Sequence, residues 1–380
     1  MQSHAGYGVH EETLRLCRSL LAGSWSKELW MGGLRPTRRR ALLWRRGVQV
    51  LFLAIILWIG VRFALFVEAA RHGAAVAFPR PPGVEAFLPI SGMLGLRHWL
   101  ATGELNAIHP AAVVLFLVAV ATALLARRAF CAWVCPVGTL SEGLARVGKR
   151  LVGRNLILPR RLDVALRGLK YLLLGFFLWI VFVLPARALA PFLDGDYHRV
   201  ADVKMYLFFR ELGPGGLAVV VGLVGGSLFV RHLWCRYCCP YGALLGLIAL
   251  VSPNRIRRDP DQCAGCRACT DACPQLLPVH DRLTIRSAEC TACQSCVDAC
   301  PAPATLAFGL RRRRAAPWVV AVALVGCFVV GIGVARRTGH WQSAVTTAEY
   351  VARLPWIHQV DHVGAALGGE MASVKPADTP

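Results

Sequence analysis

Two cysteine runs constrain this chain more than anything else in it. The first reads CAGCRACTDACP, from Cys263 to Pro274, and the second reads CTACQSCVDACP, from Cys290 to Pro301. Each is C-x2-C-x2-C-x3-C-P. Thiolates are soft ligands for iron, and this spacing holds a pair of iron–sulfur clusters. The first three cysteines of a run serve one cluster and the fourth reaches across to the other. The expectation is two [4Fe–4S] clusters. Cys263, Cys266, Cys269 and Cys300 surround one, and Cys290, Cys293, Cys296 and Cys273 surround the second. A zinc ribbon would use two C-x2-C pairs across a long gap, which does not describe these runs.

The clusters need a compartment. The chain has 15 cysteines in 380 residues. In a secreted chain that number would suggest disulfides, but these runs require reduced thiolates and therefore a cytoplasmic face. Hydrophobic residues make up 56% of the chain and charged ones 17%, with a mean hydropathy of +0.49. That balance suits a membrane protein. The net charge of +21 comes from arginines that bracket apolar runs, the positive-inside pattern. Without aromatic–basic surface motifs it does not suggest nucleic acid.

Apolar runs long enough for helical spans lie at about 47–67, 110–126, 171–191, 215–230 and 316–335. The predicted fold is an α-helical membrane protein of about five transmembrane helices and two repeated hairpins. An α+β, two-[4Fe–4S] ferredoxin-like domain is inserted in it. The expected divisions are a basic cytoplasmic tail (1–46), a four-span region (47–252), the dicluster domain (253–310), a fifth transmembrane helix (311–335) and an extracytoplasmic, partly disordered tail (336–380). A short helix is expected at 11–21. The Pro/Gly-punctuated stretch RPPGVEAFLPISGMLGLRHWL reads as re-entrant or interfacial, and 240–251 as too short to span. Basic segments alternate with basic-poor ones, which puts the clusters on the cytoplasmic side of a bacterial inner membrane.

The membrane region repeats itself. RRAFCAWVCPVGTL at 127–140 matches RHLWCRYCCPYGAL at 231–244. Cysteines at i and i+4 share one helix face. Cys131, Cys135, Cys235 and Cys239 could therefore converge on one further metal or cluster site, act as redox thiols, or dock the cluster-bearing segment. Cys238 is a spare thiol beside them, and Cys17 and Cys327 stand alone. Arg257, Arg258 and Arg267 lie near the cluster cysteines, where positive charge favours the reduced state. Arg62, inside the first span, either snorkels or faces protein. His98, His109 and His198 read as solvated or interfacial. No C-x2-C-H, P-loop or dinucleotide fingerprint occurs.

FCAWVCPVGTL, WCRYCCPYGAL and the eight-cysteine segment together resemble the membrane polyferredoxins grouped with NapH and MauN and related to NosR and CcoG. The resemblance covers residues 47–310. It implies electron transfer at the cytoplasmic membrane, with membrane lipid around the chain, connecting the quinone pool with a respiratory or maturation redox partner. The short basic N-terminal tail does not match the flavin-binding domain of NosR-like proteins, and the C-terminal tail does not match the β-sandwich of CcoG-like ones. An electron-transfer subunit is therefore expected rather than a complete enzyme. The alternatives are a metal reductase or assembly factor for a respiratory metalloenzyme, as in the CcoG relatives, and a redox sensor. The chain has only five methionines and no Cys–Met cluster, which speaks against copper traffic.

Overall fold

The structure is a computed structural model describing residues 40–72, 78–153, 155–302, 305–310 and 313–360. The helices are α1 (Arg40–Arg71), α2 (Pro89–Thr102), α3 (Pro110–Ala126), α4 (Ala129–Trp133), α5 (Pro136–Val152), α6 (Arg160–Val183), α7 (Ala186–Asp194), α8 (Asp196–Arg199), α9 (Ala201–Arg210), α10 (Pro214–Phe229), α11 (Pro240–Ile248), α12 (Ala268–Asp271), α13 (Ser295–Asp298), α14 (Pro317–Arg337) and α15 (Thr347–Arg353). Two strands, β1 (Asn254–Arg258) and β2 (Leu306–Leu310), form an antiparallel pair. The described residues before 54 and those within 119–171 and 224–327 belong to one compact unit, and the described residues within 54–118, within 172–223 and after 327 to another.

Among the described residues, α1, α6 and α14 are long and apolar enough to cross a membrane. α9 and α10 pass the same test together, but meet at 80°. Pro214 opens α10, and its missing N–H cannot continue a helix from Arg210. α3 is apolar but has 17 residues, short of the roughly 20 a bilayer core takes. Three helices, or four with the bent pair, thus meet the length criterion where the sequence predicts five.

Three edges differ from expectation. α1 begins at Arg40, so residues 40–46 are helix rather than tail. α6 covers Arg160–Val183 rather than 171–191, because Pro185 disfavours helix in the residue before it. Much of the basic stretch 130–170 is accordingly helical. The region after residue 335, expected to be loosely ordered, is folded as far as it is described. Thr346 and Glu349 form a capping box on α15: the Glu349 N–H donates to Thr346 Oγ1 at 3.2 Å, and the Thr346 N–H donates to Glu349 Oε2 at 2.9 Å. Tyr350 is fully buried with Phe66, Val203, Leu354 and Ile357. The predicted helix at 11–21, Cys17, Arg311, Arg312 and the end of the tail lie outside the described residues.

The second unit also corrects the reading of the histidines. His98, His109 and His198 are buried. The His98 Nδ1–H donates to the Glu104 carbonyl at 3.1 Å, and the His109 Nε2–H donates to the His198 carbonyl at 2.7 Å. These carbonyls replace the water that the His98 and His109 rings lose. Arg80 pairs with Asp202 and donates to Glu85 at 2.8 Å. The second Glu85 oxygen accepts the Ala112 N–H at the start of α3 at 2.9 Å. Arg62 lies 4.4 Å from the Phe78 ring and 5.3 Å from that of Trp58, so its charge faces aromatic rings.

Candidate metal centres

The two cysteine runs lie between β1 and β2. Ile256 pairs with Phe308 in the ladder, and burial of both side chains closes the segment. Each run carries one helical turn, α12 or α13. The turns are preceded by equivalent left-handed residues: Gly265 (φ 68°) and Arg267 (φ 58°) in the first run, Ala292 (φ 47°) and Gln294 (φ 56°) in the second. Left-handed residues among right-handed ones turn successive N–H groups inward, which makes an anion-binding nest.

Two cavities result. One is lined by Cys273, Cys290, Cys293 and Cys296 with Ile256 and Ile285. The other is lined by Cys263, Cys266, Cys269 and Cys300 with Arg258, Arg267 and His280. Arg258 and Arg267 therefore face the second cavity, whereas the Arg257 guanidinium donates to the Gly309 carbonyl at 3.0 Å. Burial and the neighbouring Cys293 push the Cys273 thiol up to about 12, against the N–H groups of Leu277 and Gln275. Burial raises Cys290 and Cys296 too. Thiols crowded this way disfavour a bare negative charge, and a cationic metal core would relieve that.

The repeated motifs share an unusual backbone. The Cys135 N–H donates to the Phe130 carbonyl at 2.9 Å, and the Cys239 N–H donates to the Trp234 carbonyl at 2.9 Å. Both are i→i−5 bonds, the π geometry often found at functional sites. Cys135 and Cys239 then occupy the N-cap positions of α5 and α11, each followed by proline at the first helical position. The Gly242 N–H donates to Cys239 Sγ at 3.2 Å. Gly138 is required for close approach, since a Cβ there would lie 2.0 Å from the Cys131 carbonyl oxygen.

This geometry brings the four thiols into mutual electrostatic range. Burial raises Cys235 well above its ordinary value, and Cys135, Cys239 and Cys131 raise it further. Burial and Cys131 likewise push Cys135 up to about 12. Cys238 stands apart, raised by burial alone. Among the described residues no three His, Cys, Asp or Glu side chains gather tightly enough to hold a single metal ion. Arg236, inside the second motif, is anchored on Asp163 of α6 through bonds of 2.7 and 2.9 Å, and the Tyr237 hydroxyl donates to the same carboxylate at 2.7 Å.

The sequence gives little hint of how unequally the two runs are treated. Residues 287–298 receive a series of contacts from the helices. Arg45 donates to the Cys293 carbonyl at 3.3 Å and to Ser295 Oγ at 3.1 Å. Arg127 donates to the Ser287 carbonyl at 2.5 Å. The Trp133 indole donates to the Ala292 carbonyl at 3.2 Å. Arg128 reaches Glu289 Oε2 at 3.1 Å, and Lys170 reaches the two Glu289 oxygens at 2.5 and 2.6 Å. Arg128 and Lys170 hold the Glu289 carboxyl below its usual range against its burial. The first run instead exposes Gly265 and Arg267. In sequence, Arg127 and Arg128 read as the stop of an apolar run and the opening of the repeated motif, and neither reading points to the Cys290 run.

A family model described as a 4Fe–4S binding domain matches residues 108–155 and again residues 212–258. Another, described as a 4Fe–4S dicluster domain, matches residues 255–301. The chain is 41% identical over 332 residues to "Putative electron transport protein YccM" of Escherichia coli, covering 85% of this chain and 93% of that protein. It is 27% identical over 255 residues to "Ferredoxin-type protein NapH" of Haemophilus influenzae, covering 67% of this chain and 80% of that protein. With "Methylamine utilization ferredoxin-type protein MauN" of Paracoccus denitrificans it shares 32% identity over 169 residues, covering 44% of this chain and 55% of that protein. No solved structure matches. The chain belongs to the NapH/MauN-like family of ferredoxin-type 4Fe–4S electron-transport proteins.

Proposed function

We propose that this protein is a membrane-anchored, multi-pass electron-transfer subunit. It exchanges electrons between the quinone pool and a redox partner on the cytoplasmic side of a bacterial inner membrane. The observation that carries this reading is the pair of cavities, each walled by four cysteines drawn from both runs. Cys263, Cys266, Cys269 and Cys300 would hold one [4Fe–4S] cluster, and Cys290, Cys293, Cys296 and Cys273 the other. Bound clusters supply one-electron chemistry at potentials set by burial, charge and hydrogen bonds to sulfur.

The chain's own residues supply the setting. β1 and β2 clamp the segment, and the left-handed residues aim N–H groups at the cavities. The helices cover the Cys290 run. Cys131, Cys135, Cys235 and Cys239 would hold a further cluster, supported by their mutual proximity and by a 4Fe–4S model that matches both motifs. The five-span topology rests on the alternation of basic and basic-poor segments and on the apolar helices already described.

Anaerobic purification followed by iron and sulfide analysis tests the reading. The expected result is about eight irons for the two runs, with about four more if the third site is filled. Cys263→Ser and Cys290→Ser should each remove one EPR-active centre. An iron-free protein, or centres that no quinol reduces, would sink the proposal.

A further inference from the structure

Arg128 occupies an unusual position. Its side chain is 1% exposed and lies along α11 above two glycines. A Cβ on Gly242 would stand 3.0 Å from Arg128 Nη2 and 3.4 Å from Cys239 Sγ. A Cβ on Gly246 would stand 3.2 Å from Arg128 Cδ. The i, i+4 glycine pair thus leaves room for the Arg128 side chain and, at Gly246, for the Ala288 carbonyl, whose oxygen would stand 2.9 Å from a Cβ there. At its far end Arg128 Nη1 donates to Glu289 at 3.1 Å and to the Ala288 carbonyl at 3.4 Å. Glu289 directly precedes Cys290. The guanidinium also hydrogen-bonds Cys131 and lies in the field of Cys239.

Resting on the reading above, we propose that Arg128 is a positioning residue shared by the four-thiol site and the Cys290 site. Its fixed charge raises the electron affinity of both and leaves the Cys263 site untouched. Three features support this. A buried cation acts through a low effective dielectric, so its field on a centre that gains negative charge is large. Its counter-charge Glu289 is itself tied to Lys170 and Tyr171, so Arg128 is not neutralised by a dedicated partner. The Cys263 cavity has its own cations, Arg258 and Arg267, and no described contact with Arg128.

The test is an EPR-monitored redox titration of the full-length protein in detergent. The signals are first assigned with the Cys263→Ser and Cys290→Ser variants. Arg128→Gln should move the Cys290-dependent signal to lower potential and leave the Cys263-dependent one in place. Arg128→Lys, which keeps the charge, should undo most of the shift. Gly242→Ala keeps the charge but displaces the guanidinium, so it should shift the Cys290-dependent signal and leave the Cys263-dependent one in place; it provides the readout if Arg128→Gln does not accumulate. Equal shifts of both signals, or no shift in any variant, would overturn the proposal. Iron content, measured in parallel, reports on the functional reading itself and does not depend on the selectivity of the shift.

Discussion

The Leu42 N–H donates to the Asp298 carboxylate at 2.9 Å. A residue between Cys296 and Cys300 thereby caps the first long apolar helix, 256 residues away in sequence. The Ala41 N–H bonds to the same group. The first N–H groups of a helix have no partner of their own, and here the second cysteine run supplies one. The start of α1 and the seating of that run are therefore one interaction.

Asp298→Ala should remove the cap and destabilise the protein by about 1 kcal/mol, while Asp298→Asn, which keeps an acceptor, should lose much less. Thermal midpoints of the purified protein compare the two. Equal losses would mean that the carboxylate charge matters more than the cap.

Gly138 and Gly242 occupy equivalent positions in the two repeats but meet different neighbours. A Cβ at 138 collides with a main-chain carbonyl at 2.0 Å, whereas one at 242 meets the end of the Arg128 side chain at 3.0 Å. Gly138→Ala should abolish accumulation of folded protein in the membrane. Gly242→Ala should fold with a modest loss. Membrane yield and thermal midpoint decide it, and similar behaviour of the two variants would contradict the geometry.

Asp163 accepts from both Arg236 and Tyr237, with Arg236 only 2% exposed. Removing one partner of a buried pair leaves an uncompensated charge, at a cost of about 3 kcal/mol. Asp163→Asn should therefore lower the thermal midpoint strongly. It should also release the turn that carries Cys235 and Cys239, seen as greater accessibility of those thiols to alkylation. Unchanged labelling would show that the turn holds without its anchor.

Glu349 titrates below its ordinary value, chiefly because it accepts the Thr346 N–H, with help from Arg353 and Arg199. A depressed carboxyl contributes stability that is complete above its unfolded value, about 4.3, and is lost as pH falls through the lower folded value. Hydrogen exchange in α15, corrected for intrinsic rates, should show extra opening as pH falls through that window. Glu349→Gln should remove the pH dependence. A persistent acid transition in the variant would assign it to another group.

Several elements were legible in the chain because their signals are local. The apolar run at 110–126 is a helix with those bounds, and the last apolar helix lies within two residues of its predicted edges. The edges that moved have causes in single residues, Pro185 for α6 and the distant Asp298 for α1. The folded C-terminal region was not legible, because the apolar spacing of Val345, Tyr350, Leu354 and Ile357 has meaning only against the cluster that buries them. His109 failed for the same reason: the His198 carbonyl that satisfies it is 89 residues away in sequence.

Sequence by itself determined the family and the cysteine spacing, because a metal-binding run records its ligand geometry in consecutive residues. It also determined which stretches are apolar enough for long helices. Only the tertiary structure decided that two runs of identical spacing are unequal, one gripped by Arg45, Arg127, Arg128 and Trp133 and the other open at Gly265 and Arg267. It alone brought the thiols of residues 131 and 135 to those of 235 and 239. Such inequality depends on which distant segments share a low-dielectric interior, and no spacing along the chain encodes that.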